Sequence, residues 1–200
     1  MVSSDVFVFV KGVMDYGKSS REANKTLLVL IPKVNNPETL HNFRPSSLCN
    51  VSYKLVTKVI ANRLKPLMPE LICPNQASFV PGRHIQYNNI IAQEVVHTMH
   101  PMKGRRGFMI VKVDLEKAYD RLRWDFFEDT LRTLGLPPKL KDTIMDCITS
   151  VSMQVLCNGE NTEQFAPSRG IRQGCPLSPY IFVLCISRLS HLIYLSLIHI

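Results

Sequence analysis

One carboxylate at the end of an apolar run offers the clearest chemistry in this chain. Phe108-Met109-Ile110-Val111-Lys112-Val113 follows Gly107 and is mostly β-branched and aromatic, which predicts a buried strand delivering Asp114 at its C-terminal end. Carboxylate oxygens suit the hard cation Mg²⁺, and one fixed on a rigid strand can hold that ion against a substrate phosphate. Five residues on, Tyr119 places an aromatic ring on the chain leaving the strand. Nucleotide polymerisation needs both features, a metal anchor and a flat wall beside the sugar. Taken alone, the stretch reads equally well as an aspartate capping the next helix beside a packed tyrosine.

A second stretch favours the chemical reading. Arg169-Gly170-Ile171-Arg172-Gln173-Gly174-Cys175-Pro176-Leu177-Ser178-Pro179 is a turn rich in glycine, proline and arginine that opens a long apolar helical run. Glycine permits close backbone approach, glutamine both donates and accepts, and the turn feeds a helix N-terminus carrying partial positive charge. Such a turn suits a phosphate-bearing strand or nucleotide.

Together the two stretches resemble motifs A and B of reverse transcriptases. Leu30-Ile31-Pro32-Lys33, Phe43-Arg44-Pro45-Ser46-Ser47-Leu48-Cys49-Asn50-Val51, Lys58-Val59-Ile60-Ala61-Asn62-Arg63-Leu64 and Pro81-Gly82-Arg83 narrow the resemblance to non-LTR (LINE-type) retrotransposon polymerases, especially those of plant genomes. These pieces fall in the family's order over about residues 25 to 194, and several independent motifs would have to coincide.

The resemblance implies RNA-templated DNA synthesis from deoxynucleoside triphosphates on an RNA template and DNA primer, with Mg²⁺, or Mn²⁺ in its place. Asp114 would be the catalytic metal ligand, with the Leu115 carbonyl as a second oxygen. Lys117 and Ala118 would present backbone to the triphosphate, Tyr119 would exclude a ribose 2′-OH, and Gln173 with Gly174 would meet the sugar or template. Arg83 would contact phosphate, since a guanidinium can grip it bidentately, and Arg44, Arg63 and Arg172 would face nucleic acid. The implied fold is α+β, a partial right-hand polymerase fold with a short central antiparallel sheet packed by helices. About residues 1–106 would form fingers, about 107–194 palm, and 195–200 an unmatched tail. The implied location is intracellular and nuclear.

Several positions depart from the family pattern. Tyr87 stands where a carboxylate is usual, Ser187 where related plant sequences tend to have Glu, and Cys175 where many have Asp. The family's aromatic-Ala-Asp-Asp turn is not reached by Ile200. In-line nucleotidyl transfer uses two metal ions, and one aspartate does not hold both. The sequence therefore predicts a chain that does not polymerise. A non-catalytic RNA-binding remnant and the product of a decayed reading frame remain as alternatives.

The rest of the chain must position these groups. Two hundred residues at 46% hydrophobic content suffice for one unit with a core. The formal charge is +8, and residues 1–106 hold the whole excess, 14 basic against 6 acidic side chains, while residues 107–200 carry 10 of each. An acidic partner such as nucleic acid fits this asymmetry, as does a solvated basic surface. The six cysteines show no C-x-x-C pair, which points to reduced thiols rather than zinc ligands or a secreted framework. The N-terminus shows no clear signal peptide.

Hydrophobic spacing predicts helices over 5–16, ending at Gly17, over 52–64 with Leu55, Val56, Val59, Ile60 and Leu64 as its stripe, and from an Asn88 or Asn89 cap through Met99. Trp124, Phe127, Leu131 and Leu134 mark another, ending at Gly135, and Pro137-Pro138 opens a further one to Ser150. Strands are predicted over 26–34 and in a hairpin around Asn158-Gly159, with Phe43-Arg44-Pro45 extended and Lys103-Gly104-Arg105-Arg106 a basic turn. The basic face of the 52–64 helix could track phosphates or simply face water. Residues 178–200 are long enough to span a bilayer, but Arg188 near the middle, His191 and several serines favour a buried helix.

Overall fold

The computed structural model describes residues 2–16, 21–102 and 109–197. Helix α1 (Val2–Tyr16) precedes strand β1 (Lys25–Pro32), which turns back into β2 (Phe43–Cys49). The basic turn 103–106, Phe108 and the Gly17 helix stop lie outside the described residues. Helices α2 (Val51–Leu64), α3 (Met68–Leu71) and α4 (Ile85–Met99) follow, then the short α5 (Ala118–Arg121), α6 (Trp124–Thr133) and α7 (Pro138–Thr149). Strands β3 (Ser152–Cys157) and β4 (Glu160–Asn161) lead to the glutamine turn and α8 (Ser178–Leu197).

The sheet is mixed rather than antiparallel, in the order β2-β1-β3-β4. β1 pairs antiparallel with β2, Thr26 opposite Cys49 and Pro32 opposite Phe43. On its other edge β1 pairs parallel with β3, Lys25 opposite Ser152. The helices between β1 and β3 supply the long crossover that parallel pairing requires. The predicted hairpin closes at Asn158 and Gly159, both at positive φ, which matches the right-handed twist of the flanking strands.

The run expected to be the central strand is not in this sheet. Residues 109–113 form no ladder, and their apolar side chains face solvent, Met109 at 84% and Val111 at 68% exposure. β-Propensity reports fit to a pleated, half-buried surface, and no described residue offers this run a strand to pair with or a layer to lie on.

The core joins α2, α6, α7 and the first half of α8. Asn50 caps α2 by accepting the Ser52 N–H at 3.1 Å. Its buried stripe is Tyr53, Val56, Thr57, Ile60, Ala61 and Leu64, and Leu55, expected inside, is exposed. Phe127 and Leu131 of α6, Ile144 of α7, and Leu177 with Ile181 and Leu184 at the start of α8 complete it. Gly135, at φ +67°, ends α6 as expected.

Two helices depart from expectation. α4 begins at Ile85 with no side-chain cap, and Asn88 instead donates from inside the helix to the Asn75 carbonyl at 3.0 Å. α8 contains one segment, Ser178–Ser196, long and apolar enough to cross a membrane by length and composition. Its first half is buried in the core, whereas Leu192 to Leu195 are exposed.

Candidate nucleotide-binding surface

The glutamine turn is tied to the segment around Tyr119 by backbone hydrogen bonds. The Gly170 N–H donates to the Leu122 carbonyl and the Ile171 N–H to that of Tyr119, both at 2.8 Å. The Trp124 indole N–H donates to the Gly170 carbonyl, also at 2.8 Å. Gly170 sits at φ +89°, and an added Cβ would lie 2.9 Å from the Asp120 carbonyl oxygen, so the close approach itself requires glycine. From the sheet side, the Ser47 N–H of β2 donates to the Gln173 carbonyl at 3.2 Å.

This stitching brings three predicted residues together. Tyr119, Gln173 and Gly174 line one recess of about 540 Å³ with Cys175, Pro176, Ser178 and Pro179. The Tyr119 ring stacks on Phe182 with centroids 4.9 Å apart and planes inclined 26°. Partial burial raises its phenol above the ordinary value, so the hydroxyl stays neutral at physiological pH. An aromatic wall, an amide and a glycine floor give such a recess shape and hydrogen bonding without charge.

Asp114, Leu115 and Ala118 line a different opening, a groove of about 820 Å³ walled by Leu122 after α5, Phe126 of α6 and Phe182 of α8. Ala118 and Tyr119, adjacent in sequence, thus divide the predicted site between groove and recess. The other carboxylates of the groove are engaged, Glu116 with Arg121 at 3.3 Å, Asp125 with Arg123, and Asp129 with Arg188 at 2.5 Å. Asp114 has no such partner among the described residues. No three His, Cys, Asp or Glu side chains among the described residues are grouped to hold a metal ion. Asp114 with the Leu115 carbonyl is therefore an incomplete donor set for a pair of divalent ions.

The four arginines separate into two kinds. Arg172 is buried at 6% exposure; its guanidinium donates to Thr26 Oγ1 at 2.8 Å and to the Cys147 carbonyl at 2.9 Å, and lies 3.9 Å over the Tyr53 ring. The Cys147 carbonyl also accepts from Tyr53 Oη at 3.0 Å and Asn24 Nδ2 at 3.1 Å. The expectation that Arg172 meets nucleic acid is corrected here, because its donors are spent in the interior. Arg83 is likewise removed from phosphate. It donates to the carbonyls of Pro69, Ile72, Cys73 and Gln76 at 2.7 to 3.2 Å, satisfying the chain end of α3 and the loop after it. Arg44 on β2 and Arg63 in the last turn of α2 are exposed, where a phosphate backbone could reach them.

Lys117 takes a left-handed conformation, φ 52° and ψ 41°, immediately before α5. Its ammonium reaches His41 Nδ1 at 3.2 Å, and the Lys33 ammonium donates to the His41 carbonyl at 3.1 Å. Sequence reasoning missed His41, which stands in an unremarkable polar turn between two recognised motifs. Cys147 and Cys185 carry thiols that burial pushes up to about 12, and neither is poised to react.

Residues 31–200 match the family described as reverse transcriptase (RNA-dependent DNA polymerase). The chain is 33% identical over 172 residues to a transposon TX1 uncharacterized 149 kDa protein of Xenopus laevis, covering 85% of this chain and 13% of that protein. It is 32% identical over 161 residues to the retrovirus-related Pol polyprotein from the type-2 retrotransposable element R2DM of Drosophila melanogaster, covering 80% and 15% respectively. A shorter match, 54% over 37 residues, covers 18% of this chain and 30% of an uncharacterized mitochondrial protein of Arabidopsis thaliana. The chain thus spans less than a sixth of the length of the first two relatives.

Proposed function

The chain belongs to the reverse transcriptase family, as a domain of the kind found in non-LTR retrotransposon Pol proteins, and from that premise we propose that it supplies part of the surface that copies RNA into DNA. The observation that carries the reading is the recess in which Tyr119, Gln173 and Gly174 converge, fixed by the hydrogen bonds from Gly170 and Ile171 to the segment carrying Tyr119. In this reading about residues 1–106 are fingers and about 107–194 palm. Tyr119 packs against the deoxyribose and excludes a 2′-OH by steric clash. Gln173 hydrogen-bonds the sugar or template, and the Lys117 and Ala118 backbone faces the triphosphate. Exposed Arg44 and Arg63 neutralise phosphates of template or primer.

Divalent metal ions serve the family by activating the primer 3′ oxygen and neutralising the triphosphate, Mg²⁺ in our reading. The donors present do not complete such a site, so the chemical step is not assigned to this chain. That observation favours a second reading, nucleic-acid binding without catalysis. The 200-residue chain is expected to bind primer–template with an affinity that falls steeply with salt, and not to extend it with Mg²⁺ or Mn²⁺. Extension that vanishes in Asp114→Ala would overturn the second reading. For the first, the domain is placed within a full-length polymerase of the family, and Tyr119→Ala is expected to raise ribonucleotide incorporation. Unchanged sugar discrimination would remove Tyr119 from the gate. A plant source, to which the motif spellings and the short Arabidopsis match point, and a nuclear location belong to the same proposal. Genomic hybridisation and imaging of a tagged polyprotein test them.

A further inference from the structure

We infer that Tyr87, braced by His84, and Phe79 form a stacking platform for unpaired bases of a single-stranded RNA. The inference deepens the nucleic-acid side of the proposed function and rests on it for the partner, while the fold itself fixes the rings. The His84 and Tyr87 rings meet edge to face, with centroids 5.7 Å apart and planes inclined 78°. The Tyr87 N–H donates to the His84 carbonyl at 3.2 Å, which holds the pair together at the start of α4. An edge-to-face contact leaves each ring at least one face free of the other, and Tyr87 is 60% exposed. Helix α4 buries none of its residues, so this ring is not spent on packing.

Phe79 is presented by the loop that leads into α4. It takes a left-handed backbone, φ 59°, which is rare for a bulky residue, and is 57% exposed although nearby Ala77 and Val80 are buried. The loop is locked around it. The Ser78 N–H donates to Gln76 Oε1 at 3.1 Å, the Arg83 N–H to the Val80 carbonyl at 3.3 Å, and Asn88 Nδ2 to the Asn75 carbonyl at 3.0 Å. The Arg83 guanidinium adds its bonds to the Cys73 and Gln76 carbonyls. A strained aromatic residue held outward by a rigid loop contributes little to the core, which marks it as a contact residue. The surroundings select the partner. Residues 71–93 contain no carboxylate, Tyr87 standing where one is usual, and the exposed side chains beside the rings include the amides of Gln86 and Asn89. Such a surface offers bases π-faces and neutral hydrogen-bonding groups, with no negative charge to repel the attached phosphates. Base faces in a duplex are already covered by stacking, so unpaired nucleotides are the ligand that fits.

The test is fluorescence anisotropy of the 200-residue chain with a labelled single-stranded RNA, the same sequence as a duplex, and an abasic strand of equal length. Tyr87→Ala is expected to weaken single-strand binding about fivefold or more, the loss of one base stack, with the salt slope unchanged because no charge is removed. Tyr87→Phe, which keeps the ring, should bind within about twofold of the parent, whereas Phe79→Leu, which keeps bulk without a ring, should lose about fivefold. Tyr87→Asp should bind more weakly than Tyr87→Ala, and His84→Ala should lose less than either. Parent and Tyr87→Ala should bind the abasic strand equally, a result that a merely structural role would not produce. Unchanged circular dichroism melts show that each variant folds. Equal RNA binding by parent and Tyr87→Ala, or a parent that prefers the duplex or the abasic strand, overturns the platform and leaves salt-dependent nucleic-acid binding standing. No binding of any strand by the parent removes the nucleic-acid reading and the platform with it. Self-association that Tyr87→Ala abolishes in sedimentation, with RNA binding unchanged, would assign the rings to a second copy of the chain and overturn the platform.

Discussion

Around Gln173 the chain is held from several directions, and around Asp114 it is not. The glutamine turn gives backbone hydrogen bonds to Tyr119 and Leu122, accepts one from Ser47, and lies against the interior where Arg172 joins Thr26, Tyr53 and Cys147. Residues 109–116, by contrast, make no backbone hydrogen bond among the described residues, and their apolar side chains are mostly in solvent. Both stretches carry motifs of one family. The difference teaches that the side of the surface around Gln173 is held by its own hydrogen bonds, whereas the side around Asp114 has few contacts among the described residues to hold it.

The sharpest way to break that comparison is to unmake the tied side. Arg172→Ala removes a large buried side chain, opens a cavity against Tyr53, and leaves the Thr26 hydroxyl without its guanidinium partner. A loss of about 2 to 5 kcal/mol is expected, read as a lower urea midpoint, with the Tyr119 recess lost in parallel. Arg172→Lys should rescue little, because one ammonium cannot reproduce a fork that donates in two directions while stacking on a ring. Arg44→Ala serves as the opposite pole, with stability unchanged within about 0.5 kcal/mol but the salt slope of nucleic-acid binding reduced by about one. A stable Arg172→Ala would show that the interior network does not hold the turn.

Gly170→Ala should come next in size. The new Cβ meets backbone rather than a movable side chain, and the positive φ disfavours any L residue there. About 1 to 3 kcal/mol is expected. The specific readout is iodide quenching of the single tryptophan, Trp124, whose indole donates to the Gly170 carbonyl, and it should increase as the turn detaches.

Alkaline pH probes the same region through its thiols. Burial raises the folded-state value of Cys147 and Cys185 from the ordinary 9.0 to about 12. The folded chain then keeps protons that the unfolded chain has released, so the stabilisation is whole below about pH 9 and is lost as pH rises toward 12. By pH 10 each thiol should cost about 1 kcal/mol, seen as a lower urea midpoint than at pH 7. Exposed Cys157 should alkylate rapidly at neutral pH while Cys147 and Cys185 resist. Equal labelling of all three would mean an open core.

Much of the scaffold was legible because its signals are local. The Asn50 cap, the α6 stripe through Phe127 and Leu131, the Gly135 stop and the Asn158-Gly159 turn each specify their own element. The convergence of Tyr119 with Gln173 was legible only through family resemblance, since no periodicity links positions 54 residues apart. The guanidinium directions were not legible. Arg172 and Arg83 look in sequence like Arg44, and only the carbonyls that three-dimensional packing left unpaired decide which arginine turns inward. Met109 to Val113 failed for a related reason, because strand propensity is realised only when a neighbouring strand exists to pair with.

The smallest expected effect tests that failure directly. Val111→Asp places a charge in the middle of the run predicted to be a buried strand. Were Val111 in a sheet interior, an unpaired carboxylate there would cost several kcal/mol through desolvation. At 68% exposure the carboxylate stays hydrated, and the urea midpoint should move by no more than about 0.5 kcal/mol. Ile144→Ala on α7, fully buried, is the control and should cost about 2 to 4 kcal/mol. The same Val111→Asp change should also reduce self-association, because an exposed β-branched run with Lys112 as its one charge is a template for pairing between chains, and a second, opposite charge breaks its apolar face. Sedimentation at increasing protein concentration reads this. A large stability loss with unchanged association would place Val111 inside a packed layer and erase the contrast between the two sides of the surface.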